Sequence, residues 1–496
     1  MTRPLFNSIF VVAGLTLTAN LLGMAREILI GRTLGASAAT DAFFSAFTVV
    51  AVCFLVFTSG TLQSAFMPRY QALREAGQDG RAAALALRVG LWLGAVLFAA
   101  MAGLMAGAPA LARLAVPGFA PPVLELTADL IRVLSPLVPI LGLAALLQAV
   151  LNAHYRFALP AAGPVASNVV VIGALLALAP AAGIWALAGG TLAGGGLWLL
   201  LLLPAGLAAA GRPRADGGAE LSGVMRNMAP LVVIMLADQL SAVVQKGLAS
   251  GFEPGAISAL HYGARLAGLP IGILGMALST VLFPAMVSAL QGGRLAEAGE
   301  RAALGLAATA MLIMPAGVFF LMESRLFVGV LLERGAFGPE ATANTALALA
   351  WYAGALVPQA AIIFLSRLFY AAERSAAVMA LSLATSLLQI ALCWVGVAAM
   401  GWPGIAASTS VYAVIHAAAL LAMSRRIVAL DWRALGGACL RIGAASAALA
   451  LALLAPLPLT GAAALAAKLA AGGAAYAGVL LLLREPTLTA LLRLRA

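Results

Sequence analysis

Apolar runs of about twenty residues, each bounded by charge, proline or a polar cluster, follow one another along almost the whole chain. A run of that length is what an α-helix needs to cross the hydrocarbon core of a bilayer. Fourteen can be placed, near residues 5–31, 41–68, 83–108, 123–151, 159–180, 183–206, 228–250, 256–290, 302–322, 341–371, 376–399, 403–424, 436–457 and 460–483. Only 9% of the 496 residues are charged and the mean hydropathy is +1.05, whereas soluble domains carry about 25% charge. The chain therefore reads as an all-α polytopic membrane protein.

The net charge of +11 does not point to nucleic acid, because the basic residues are scattered among the connections between runs rather than gathered on one helix face. Only Lys246 and Lys468 are lysines; the other 27 basic residues are arginines, as a GC-rich coding sequence would give. With a cytoplasmic N-terminus, nineteen arginines fall on the cytoplasmic side and only Arg113, Arg325 and Arg334 on the other. That bias predicts an inner-membrane protein with both termini inside, and so an even number of spans. Arg3 ahead of an apolar stretch imitates a signal peptide, but the long run and thirteen further spans favour an uncleaved first helix. Cys53, Cys393 and Cys439 are odd in number, far apart and set in apolar segments, which indicates neither a disulfide framework nor a metal site.

Two halves of six runs overlay at a shift of about 220 residues. Leu137-Val138-Pro139 corresponds to Leu356-Val357-Pro358, Gly183-Ile184 to Gly404-Ile405, and Pro68 to Pro284. Six spans per copy makes the repeat parallel, related by an axis along the membrane normal, with substrate expected between lobes that rock to give alternating access. The expected organisation is an N-lobe at 1–210, a cytoplasmic linker at 211–227, a C-lobe at 228–426, and two further spans with a tail at 427–496.

Enzymatic signatures are missing. Lys246 precedes Gly and Lys468 precedes Leu, so neither sits in a P-loop, and the three histidines lie far apart without a metal-binding helix motif. No cofactor is implied. Function is instead expected where charge persists at membrane depth, which costs roughly 2.5–3.5 kcal/mol per residue on insertion scales. Arg26, Glu27, Asp41, Asp238, Lys246, Arg265 and Arg367 lie within or beside the runs. The bland reading, strongest for Lys246 and Arg32, is that long side chains near helix ends snorkel to the headgroups. Arg26 and Arg265 fall in the first and eighth runs, one per lobe. A guanidinium pairs bidentately with phosphate and stays charged, so an anionic phosphate ligand suits them. Glu27 and Asp41 either balance charge or couple a cation, or are ion-pair partners of Arg26 and Arg32. The run Gly189 to Gly196 sits inside an apolar span with no preceding strand and reads as close helix packing rather than a phosphate cradle.

The segments Leu22-Gly23-Met24-Ala25-Arg26-Glu27, Gly35-Ala36, Thr40-Asp41-Ala42-Phe43-Phe44-Ser45-Ala46-Phe47 and Ser64-Ala65-Phe66-Met67-Pro68 resemble the MurJ/MviN family of lipid II flippases, within the multidrug/oligosaccharidyl-lipid/polysaccharide exporter superfamily. Further similarity runs through Pro117-Gly118-Phe119, Leu151-Asn152, Arg156-Phe157, Tyr262, Arg265-Leu266, Pro270 and the stretch 275–284. The resemblance implies fourteen helices in two lobes and a cargo of undecaprenyl-pyrophosphate-linked disaccharide-pentapeptide, flipped from the inner to the outer leaflet. It implies membrane lipids and the cell-wall synthesis machinery as partners, and membrane potential or a monovalent cation as the source of direction. Arg26, Asp41 and Arg265 occupy the positions of the family's cavity residues.

Other positions depart from that pattern. Asn20 stands where the family has an arginine, and Thr48, Phe54 and Ser59 stand where its second helix carries Lys, Arg and Glu. Asn20 and Ser59 are therefore secondary candidates, with Asp238, Lys246 and Arg367. Fewer cavity cations also keep open another lipid-linked oligosaccharide, such as an O-antigen, exopolysaccharide or capsule unit. A cation-coupled small-molecule exporter and a non-transporting scaffold are the remaining alternatives.

Overall fold

The computed structural model describes residues 3–58, 61–213, 219–281, 283–456 and 458–488. Every regular element among them is a helix. By contact the chain divides into two compact units, Met1–Ile257 with Arg334–Phe337, and Ser258–Glu333 with Gly338–Ala496.

The first unit holds α1 (Arg3–Leu34), α2 (Ala38–Thr58), α3 (Thr61–Ala65), α4 (Met67–Glu75), α5 (Asp79–Ala115), α6 (Pro121–Leu134), α7 (Leu137–Ala153), α8 (Ala158–Ala182), α9 (Ile184–Ala210) and α10 (Ala219–Ala249). α2 is its centre, packed against α5, α6, α7 and α10, with Ala42, Phe43, Phe44, Ala46 and Val50 buried. The glycine-rich run lies within α9 on α8: a Cβ at Gly190 would meet the Ala174 methyl at 2.7 Å, and one at Gly194 the Ser167 carbonyl oxygen at 2.8 Å. Small residues there let two backbones approach, which is how helices gain contact when lipid offers no hydrophobic drive. α10 begins at Ala219, inside the stretch expected as a linker, of which residues 214–218 lie outside the described residues.

After α11 (Ala256–Val281), the second unit continues with α12 (Phe283–Gln291), α13 (Leu295–Leu332), α14 (Pro339–Ala353), α15 (Leu356–Ala371), α16 (Ser375–Met400), α17 (Pro403–Ser424), α18 (Trp432–Leu454) and α19 (Gly461–Leu482). Its core joins Met286 of α12, Ala302 and Leu306 of α13, Phe364 and Leu368 of α15, and Leu420 of α17. α13 is broken at Glu323, where φ −119° and ψ 22° leave the helical region, rather than at Pro315.

Among the described residues twelve helical segments are long and apolar enough to span a membrane, or thirteen if the bent pair α14–α15 is one span, against the fourteen expected. Residue 282, inside the eighth run of 256–290, lies outside the described residues, with α11 before it and α12 after it. The fourth and tenth runs are each broken in two, at Ser135–Pro136 and at Gly354–Ala355. In both, the proline of the repeated Leu-Val-Pro triplet follows in the first turn of the new helix, where a missing N–H costs nothing.

The duplication is written in the backbone too. α7 ends with Tyr155 at φ 57° and α15 with Glu373 at φ 57°. The Arg156 N–H then reaches back to Leu151 O at 2.9 Å, as the Arg374 N–H does to Phe369 O at 2.9 Å. Each is a six-to-one closure of a helix C-terminus through a left-handed residue. Gly183 and Gly401, at φ 55° and 71°, likewise close α8 and α16, so Gly401 is the conformational counterpart of Gly183, three residues before the Gly404 that the sequence alignment pairs with it.

Candidate functional site

Arg26 lies in α1 eight residues before its end at Leu34, about 12 Å along the axis at 1.5 Å per residue. Its Nη2 donates to Glu27 Oε1 at 2.7 Å and its Nη1 to Asn168 Oδ1 at 3.1 Å. Asn168, from α8, turns its amide nitrogen to Ala19 O at 3.1 Å and so ties α8 to the backbone of α1. The Glu27 side chain is 3% exposed and that of Arg26 29% exposed. A carboxylate so enclosed needs a cation and hydrogen bonds to offset its desolvation, and Arg26 supplies both. The buried Arg26 Nε has no hydrogen-bond partner. Two of the five guanidinium N–H groups are thus engaged, which leaves donors for an incoming anion. Asn168 was not singled out from sequence. Its only signal there was an amide within an apolar span, and the 142 residues between it and Arg26 hide the pairing.

Asp41 does not join that cluster. It stands in the first turn of α2, 2% exposed, and accepts the Gly255 N–H on Oδ2 at 2.6 Å. Lys246, half-buried in the last turn of α10, lies within electrostatic reach of Asp41. The connections around Asp41 meet tightly. The Ala336 N–H donates to Arg32 O at 2.9 Å, and the Gly118 N–H donates to Ser250 Oγ at 3.0 Å. Gly35, at φ 69°, faces the Ala336 carbonyl so closely that no side chain fits. A carboxylate on a turn amide and carbonyls closed by neighbouring backbone make a fixed end to the unit, whereas the guanidinium of Arg26 is the group equipped to take an anion.

The other candidates are placed by their own helices. Arg265 is exposed on α11, one turn beyond buried Tyr262. Asn20 is exposed on α1, six residues before Arg26; Asp238 is exposed on α10; and Arg367 is half-buried in α15. Ser59 lies outside the described residues. No group of three or more metal-ligating side chains occurs among the described residues.

A sequence model of the family described as lipid II flippase MurJ matches residues 30–469, beginning just past Arg26. The lipid II flippase MurJ of Burkholderia cenocepacia is 30% identical over 398 residues, 74% of each chain. The probable lipid II flippase MurJ of Thermotoga maritima is 29% identical over 404 residues, 80% of each chain. Among solved structures, a lipid II flippase MurJ in an inward closed conformation superposes with a TM-score of 0.84 at 21% identity, covering 96% of this chain and 99% of that one. An inward-facing multidrug resistance transporter of the MATE family, in the MOP superfamily, gives 0.71 at 14% identity, with 84% and 97% covered. At those identities the structures establish the fold alone, a bundle of many membrane-length helices. The matched family model spans most of the chain, and the chain belongs to the MurJ family of lipid II flippases.

Proposed function

We propose that this bacterial inner-membrane protein moves lipid II from the inner to the outer leaflet by alternating access. The observation that carries the reading is Arg26, a guanidinium inside an apolar helix, oriented by Glu27 and Asn168 and still holding free N–H groups. A pyrophosphate linkage matches those donors. Arg265 is proposed as the corresponding cation of the second unit, with the polyprenyl chain left in lipid. Both termini are placed in the cytoplasm on the nineteen-to-three distribution of arginines.

No nucleotide-binding motif is present in the sequence, so direction is ascribed to the membrane potential or a monovalent cation gradient. Glu27 suits a coupling role, because an anion arriving at Arg26 competes with this carboxylate for the guanidinium. Asp41, committed to the Gly255 amide, is assigned to holding its end of the unit. Membrane lipids and the cell-wall synthesis machinery are the proposed partners; nucleic acid is not.

The test is complementation. Expressed in bacteria depleted of their own lipid II flippase, the chain is expected to restore growth, and Arg26→Ala to abolish rescue while still reaching the membrane. Lysis despite correct insertion would instead assign the cargo to another lipid-linked glycan, to be sought as surface polysaccharide lost from a native deletion.

A further inference from the structure

In the second unit, a cleft of about 260 Å³ opens between the first half of α13, the first half of α18 and the segment after α19. Its floor is apolar, formed by Ala303, Leu304, Ala307, Leu435 and Ala438. Charge of both signs surrounds the floor. Glu300 is exposed at the rim and takes no ion pair among the described residues. Asp431 caps α18 with Oδ1, which accepts from the Arg433 and Ala434 N–H groups, and keeps Oδ2 unengaged. Arg441 directs Nε to the buried Glu485, so both Nη groups remain available as donors.

The cleft sits at the arginine-rich end of the unit, where Arg425 stacks over the half-exposed Trp432 ring at 4.5 Å. A tryptophan at a helix start beside cations is the usual mark of the headgroup level of a bilayer. The place combines a slot for methylenes, a cation with free donors, and two carboxylates with free acceptors.

We propose that this cleft binds a phospholipid whose headgroup carries both a phosphodiester and a primary ammonium, as in phosphatidylethanolamine. The phosphodiester would take the Arg441 Nη donors, the ammonium Glu300 and Asp431 Oδ2, and an acyl chain the alanine and leucine floor. Charge selects the class. Among the described residues three carboxylates line the cleft against one guanidinium, which disfavours an anionic lipid without an ammonium. A quaternary ammonium has no N–H to give the carboxylates and depends on aromatic faces, and among the described residues no aromatic ring lines the cleft. This inference concerns a resident lipid and stands apart from the identity of the cargo.

Native mass spectrometry of the full chain in detergent, titrated with phosphatidylethanolamine, phosphatidylglycerol and phosphatidylcholine of identical acyl chains, tests it. Phosphatidylethanolamine is expected to bind about fivefold tighter than either other lipid, the ratio that about 1 kcal/mol of half-exposed ion pairing gives. The double variant Glu300→Gln with Asp431→Asn should lose that preference, and asparagine still caps α18, so the fold is kept. Glu297→Gln, outside the cleft, should retain it. Equal binding of the three lipids by the unmodified protein would overturn the proposal, and so would a preference that survives in the double variant.

Discussion

Arg26 is oriented from two directions, and each can be cut separately. Asn168→Ala removes one hydrogen bond to the guanidinium and the link from α8 to Ala19 O; it is expected to cost about 1 kcal/mol, read as a lower thermal midpoint in detergent, and to weaken rescue of a flippase-depleted strain. Arg26→Lys should fail to rescue although charge is conserved, because a lone ammonium does not reproduce the planar fork that spans Glu27 and Asn168. The sequence showed Arg26 and Glu27 through their cost at membrane depth. It could not show Asn168, because an amide in an apolar span has the same appearance whether it binds lipid-facing backbone or an arginine 142 residues away. Asp41 was equally visible, but its bond to Gly255 is to a backbone N–H, which no side-chain pattern reports. The left-handed Glu373 is a further residue-scale feature: Glu373→Gly should raise stability by roughly 1 kcal/mol, since only glycine adopts that conformation without steric cost.

At the scale of elements, ion pairs fasten the last two helices. Lys468 of α19 donates to Glu323, at the break in α13, and to Leu453 O of α18 at 3.0 Å. The two side chains are 18% and 14% exposed, so Lys468→Met should destabilise by ~2 kcal/mol, below the 3–5 kcal/mol of a fully enclosed pair, and adding Glu323→Gln should recover most of it. Beyond α19, burial acts to raise the Glu485 carboxyl, but hydrogen bonds from Thr487 and Arg441 and the charge of Arg441 hold it below its ordinary value. Its stabilising contribution is therefore complete above the unfolded value, about 4.3, and is lost as pH falls through the lower folded value. A thermal midpoint that drops more steeply below about pH 4 in the unmodified protein than in Glu485→Gln is the expected result. Helix identity and approximate extent were legible from apolar runs alone. The breaks at Ser135–Pro136 and Gly354–Ala355 do not show in hydropathy, which averages over two residues; their signal is proline, Pro136 and Pro139 at the first and Pro358 just after the second.

The whole molecule is built from a duplicated plan, and its clearest record is conformational. Leu-Val-Pro triplets suggested the repeat from sequence, whereas the paired left-handed closures at Tyr155 and Glu373 show it in residue types that share no chemistry. A shared backbone path outlasts the side chains that once supported it, which is why Gly183 aligns by letter with Gly404 but by geometry with Gly401. The placement of the two lysines has another consequence. One is half-buried beside Asp41, and the other is held by Glu323 and a backbone carbonyl. Side-chain amines are thus scarce and guarded. Acylating dyes, fixatives and lysine-directed proteases should leave the folded chain nearly untouched, while arginine-directed reagents modify it extensively; peptide mapping after brief treatment with each would show the contrast.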